Sequence, residues 1–104
     1  MDKSEVISIL KSYIFLLKKE GIFVDKAYLF GSYLSGTATE DSDIDLMIVT
    51  ETEKDDYTTG KIWNLTRKIN SKIEPLIIGS KRFYGNESSP IVDMVKETGF
   101  EIEI

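Results

Sequence analysis

Two apolar runs, Ala27-Tyr28-Leu29-Phe30 and Leu46-Met47-Ile48-Val49, enclose a block of fifteen residues that opens with Gly31-Ser32 and closes with Asp43-Ile44-Asp45. Each run reads as a strand, so a glycine-serine turn and a carboxylate pair are held at the ends of two neighbouring strands. Gly31 has no side chain to keep a ligand from the backbone. Ser32 is a helix-capping residue type, and residues 32–35 can form one short turn whose free N–H groups make an anion site. Asp43 and Asp45 are two apart, so on a strand they share a face, roughly 6.5–7 Å apart along the chain. Oxygen ligands at that spacing suit Mg²⁺, which binds a few carboxylates together with substrate phosphates. A phosphate cradle beside such a pair describes a nucleotide site.

Other uses of the block fit less well. Asp41, Asp43 and Asp45 match the start of a calcium loop, but its later positions require Gly and Glu, and Leu46 and Thr52 stand there. Gly31 and Gly36 have the gap of a phosphate-binding P-loop, which then requires Lys, and Thr37 stands there. The bland reading is a polar turn, Glu40-Asp41-Ser42, entering a strand with solvated acids. Against it, Asp45 lies inside an apolar run, where an unpartnered carboxylate is costly.

Phe30-Gly31-Ser32, Gly36 and Asp41-Ser42-Asp43-Ile44-Asp45-Leu46 resemble the signature of the DNA polymerase beta-like nucleotidyltransferases. The short chain is most similar to the minimal nucleotidyltransferases, antitoxin partners of HEPN-type ribonuclease toxins. The resemblance implies metal-dependent transfer of a nucleoside monophosphate from a triphosphate, AMP from ATP in the expected case. Gly31 and Ser32 would hold the triphosphate, Asp43 and Asp45 would bind two Mg²⁺, and a later strand would supply a third carboxylate. Tyr33-Leu34-Ser35 departs from many relatives, which carry an arginine there.

The 104 residues make one small domain, 1–104. No cysteine and no histidine are present, which removes thiolate sites and the usual general base, leaving oxygen ligands that favour Mg²⁺ or Mn²⁺. Thirteen basic residues against eighteen acidic give a net charge of −5. A protein that grips a long polyanion shows a basic face, and only Lys68/Lys72 and Lys81-Arg82 cluster here, so direct nucleic-acid binding is disfavoured. No apolar run reaches membrane-spanning length. The acidic start, Asp2 and Glu5, is unlike a secretory leader, and a cytoplasmic location is expected.

Along the chain, Asp2 caps a helix to about residue 19, ended by Gly21. Its apolar residues Ile7, Ile14 and Phe15 widen the surface beyond one stripe, as core or as a partner face. Strands follow at about 26–30 and 44–49, the second apolar on both faces past Asp45 and therefore central. A charged connector at 51–56 is the expected mobile loop. Asp55-Asp56 then open a helix with Ile62, Leu65 and Ile69 inward and Trp63 off that stripe, at the rim or under a base. A third strand spans 72–78, placed at an edge or bulged by Pro75. Its Glu74 shares a face with Leu76 and Ile78 and is the candidate third metal ligand, the alternative being a solvated edge residue. Residues 79–89 read as a polar loop whose Lys81-Arg82 is either surface or a phosphate contact. Ser89-Pro90 opens a helix with Ile91, Met94 and Val95 inward, Gly99 stops it, and residues 100–104 alternate as a half-exposed strand.

The expected fold is α/β (α+β), a small mixed sheet with flanking helices, similar to the polymerase beta-like core. The expected activity is Mg²⁺-dependent nucleotidyl transfer to a hydroxyl, on a HEPN-type partner protein. The alternatives are an antitoxin acting by binding alone and a transferase for a small molecule such as an antibiotic or sugar.

Overall fold

A central strand buried on both faces organises the molecule. The computed structural model describes residues 1–51, 55–85 and 89–104. Strand β1 (Lys26–Phe30) runs antiparallel to β2 (Ile44–Thr50), and β3 (Ile73–Gly79) runs parallel to β2 on its other side. A short β4 (Phe100–Glu101) pairs with the free side of β1, giving the order β3-β2-β1-β4. In β2 every residue is buried except Asp45, which is half-buried. Pro75 lies on edge strand β3, where its missing N–H is tolerated.

Helix α1 (Lys3–Lys19) starts at Asp2, whose Oδ1 accepts the Glu5 N–H at 2.8 Å. It ends where Gly21 takes φ +83° and the Ile22 N–H donates back to the Leu17 carbonyl at 3.0 Å. After the one-turn α2 (Ser32–Ser35), helix α3 (Asp56–Ile69) connects the parallel strands β2 and β3. Asp55 caps α3 by accepting the Tyr57 and Thr58 N–H groups. Ile44, Leu46 and Ile48 bury one sheet face against Leu10, Tyr13 and Leu17 of α1 and Ile62 and Leu65 of α3. Each such side chain contributes about 1.5–3 kcal/mol of burial. The Tyr13 hydroxyl donates to the Ile62 carbonyl at 2.6 Å and pins the two helices together. Met47 and Val49 face the other way, against Tyr28, Phe83, Val92 and Val95.

Several elements differ from expectation. Part of the expected loop after β3 is a helix, α4 (Ser80–Tyr84), because Phe83 finds a buried place beneath the sheet. Residues 86–88 of that loop and 52–54 of the charged connector lie outside the described residues. Helix α5 (Pro90–Thr98) turns Val92 and Val95 inward and leaves Met94 42 % exposed. The final strand stops after two residues, although the Ile102 N–H still donates to the Ala27 carbonyl at 2.7 Å. On α1, Ile14 is core while Phe15 is 69 % exposed. Among the described residues, no helix is long and apolar enough to cross a membrane.

Candidate active site

At one end of the sheet β1 finishes while β2 and β3 begin. Register sets Phe30 beside Asp45 and Asp45 beside Glu74. The period-two alternation of strands puts Asp45 on the face of Met47 and Val49, and Glu74 on the same face through Leu76 and Ile78. Asp43, two residues before Asp45, lies near enough to Glu74 to act on its titration. Parallel pairing of two strands that each begin with an acid therefore gathers Asp43, Asp45 and Glu74 at one sheet end.

Gly31 closes the site from the β1 side. It adopts φ +79° and ψ −153°, a region that only glycine enters freely. A β-carbon there would lie 2.1 Å from Asp45 Oδ2 and 3.0 Å from its Cγ, so the carboxylate occupies the space a side chain would take. Gly31→Ala is expected to cost about 1–3 kcal/mol in backbone strain and to displace Asp45. Gly36, at φ +85° with nothing within 4 Å of its notional Cβ, is the control: its alanine variant meets the strain without moving the acid. Melting temperature should fall in both, while metal-dependent nucleotide binding should fail only in Gly31→Ala. Equal binding by the two variants would separate Gly31 from the site.

The turn beyond Gly31 has the N–H pattern anticipated for an anion. The Leu34 and Ser35 N–H groups donate to the Gly31 carbonyl at 3.1 and 3.0 Å, leaving those of Ser32 and Tyr33 without an acceptor among the described residues. The following loop is tied to this turn and to itself. The Tyr33 hydroxyl donates to the Thr39 carbonyl at 3.4 Å. The Thr39 N–H donates to Ser42 Oγ at 2.8 Å, and the Ser42 N–H returns to the Thr39 carbonyl at 3.1 Å.

Crowding of like charges shows in the titration of the acids. Partial burial first, and then the Asp43 charge, push Asp45 above the ordinary carboxylate range. Glu74 is also raised, first by its hydrogen bond with Asp43, then by burial and by the charges of Asp43 and Asp45. Burial and like charges both disfavour the ionised form of such groups. The three chains nonetheless do not form a closed cage: among the described residues, no three acidic side chains are grouped tightly enough to hold an ion. As oxygen donors the three carboxylates fit a divalent metal in chemistry.

Other candidates lie elsewhere. Lys81 and Arg82 sit on α4, which follows the far end of β3, where the Ser80 hydroxyl donates to the Thr50 carbonyl. Arg82 reaches Ser89 Oγ at 3.2 Å, so the basic pair supplies no phosphate contact at the acids. A concavity lined by Phe23, Thr50, Asp55 and Thr58 also belongs to that opposite end. Sequence reasoning missed the roles of Tyr33, Thr39 and Lys72 in holding the loop, since those hydrogen bonds leave no periodic trace.

A family model, Polymerase beta, Nucleotidyltransferase, matches residues 9–81. Among solved structures, a candidate nucleotidyltransferase from Sulfolobus solfataricus superposes with a TM-score of 0.56 at 17% identity, over 75% of this chain and 70% of that one. That likeness concerns the fold. No curated protein matches the sequence.

Proposed function

Because this chain belongs to the polymerase beta nucleotidyltransferase family, we propose that it transfers AMP from ATP, with Mg²⁺, to a hydroxyl on a partner protein. The observation that carries this reading is the alignment of Asp45 with Glu74, with Asp43 two residues before Asp45 and Gly31 backing Asp45. Asp43, Asp45 and Glu74 would hold the metal, which when bound supplies neutralisation of the triphosphate charge. The Ser32 and Tyr33 N–H groups orient the phosphates from the β1 side. Glu74 takes the proton of the acceptor hydroxyl as its oxygen attacks the α-phosphorus. The bond from the α-phosphorus to the bridging oxygen breaks, and pyrophosphate leaves. The work is positioning and charge compensation, chemistry that needs no histidine.

The placing of the acceptor on another chain rests on the resemblance to minimal nucleotidyltransferases. A HEPN-type toxin as that partner, with this chain as its antitoxin, follows from the same resemblance.

Calorimetric titration with a non-hydrolysable ATP analogue tests the site. Binding is expected to require Mg²⁺, and binding of equal strength in chelator would contradict the proposal. Ser32→Ala should weaken it only modestly, because main-chain N–H groups share the task. If Ser32→Ala leaves affinity wholly unchanged, the Ser32 side chain does not face the phosphates.

A further inference from the structure

Residue 72 is bonded at three points, and each bond touches the segment that carries an acid. Its N–H donates to Asn70 Oδ1 at 2.9 Å, which fixes the turn between α3 and β3. Its carbonyl accepts the Ile44 N–H at 2.8 Å. Its ammonium donates to the Glu40 carbonyl. Glu40 and Ile44 bracket Asp43, and Glu74 lies two residues beyond Lys72. One residue thus clamps both sides of the Asp43 loop to the entry of the Glu74 strand.

We propose that Lys72 is a positioning residue, whose ammonium holds the loop so that Asp43 stays at the sheet end where Asp45 and Glu74 lie. The clamp continues into the turn beside Gly31, because Tyr33 holds Thr39 and Thr39 holds Ser42. The phosphate turn and the acids are therefore linked through one hydrogen-bonded loop, and Lys72 secures its outer end. The inference rests on the site proposed above for its metal readout, but not for its structural one.

The test uses Lys72→Met, the conservative Lys72→Arg, and Lys68→Met, which removes the same charge from α3 outside this clamp. In metal-free protein, amide exchange of residues 40–43 is expected to quicken in Lys72→Met and to stay at the wild-type rate in Lys68→Met. Loss of a direct hydrogen-bond partner of a metal ligand typically costs 10–100-fold in affinity, and Lys72, which acts through Glu40, belongs at the low end of that range. Mg²⁺ affinity in the presence of the ATP analogue should accordingly fall by about tenfold or more in Lys72→Met. Lys72→Arg, which can still donate to the Glu40 carbonyl, should restore most of it. Unchanged exchange in Lys72→Met, or equal losses in Lys72→Met and Lys68→Met, overturns the proposal. Wild-type protein that binds no Mg²⁺ with the analogue overturns the site reading instead, and the exchange rates then judge the clamp alone.

Discussion

Asp45→Asn is expected to reduce nucleotidyl transfer by at least about 10²–10³-fold, the loss typical of removing one preorganised electrostatic partner, without lowering the melting temperature of the metal-free protein. Both halves follow from the placement of Asp45. It lies between Phe30 and Glu74 in register and against Gly31, so no neighbouring acid can take its position. Its titration is raised by partial burial and by Asp43, and Glu74 is raised too. A folded-state value above the unfolded one means that the contribution of these groups to stability is present in acid and is lost as pH rises through the raised values. At neutral pH their charges weigh on the fold, and asparagine removes one of them at nearly constant volume. Thermal melts of wild type and Asp45→Asn in chelator should show the variant at least as stable at pH 7, with the difference shrinking as pH falls. Asp43→Asn should likewise abolish transfer and spare the fold. A large fall in melting temperature at pH 7 would make Asp45 a structural residue.

Glu74→Gln should cut transfer by about 10²–10⁴-fold, the range of a positioned acid–base group, while Mg²⁺-dependent triphosphate binding largely persists. Glu74 is exposed, unlike Asp45, and it stands on the edge strand. It is therefore open to an incoming acceptor on the side away from β2. Asp43 beside it is the leading cause that pushes its titration up, and a raised value makes the ionised carboxylate a stronger base toward a hydroxyl proton. Glutamine keeps the size and loses that capacity. Glu74→Asp retains the carboxylate one methylene shorter and should keep part of the activity. Single-turnover rates and analogue affinity measured on the same preparations separate the two effects. Wild-type transfer by Glu74→Gln would place the third acid elsewhere.

Much of this architecture was legible in the chain because its signals are local. Strand β2 was recognisable as central because Met47 and Val49 continue the face of Asp45 while Leu46 and Ile48 continue that of Ile44, and both sets are buried. Pro75 marked β3 as an edge strand, and Gly21 marked the end of α1. Glu74 could be nominated from face-sharing with Leu76 and Ile78, whereas its pairing opposite Asp45 required the parallel register. Helix α4 escaped notice because five residues cannot display a helical period, and Phe83 alone anchors it. On α5, Ile91 and Val95 pack inward as their spacing indicates, while Val92 takes the buried place expected of Met94, a choice only the sheet makes. The reason for Gly31 was legible only in part. The sequence indicated a close approach by a ligand, and the structure adds a close approach by the chain's own Asp45 carboxylate.

Incubation with ATP labelled at the α-phosphate, Mg²⁺ and a HEPN-type partner protein tests the central claim most directly, with γ-labelled ATP and the Asp45→Asn protein run alongside. The account predicts that α-label moves to the partner, that γ-label does not, and that Asp45→Asn transfers neither. A tight complex with no α-label on the partner, or equal labelling by wild type and Asp45→Asn, would contradict it.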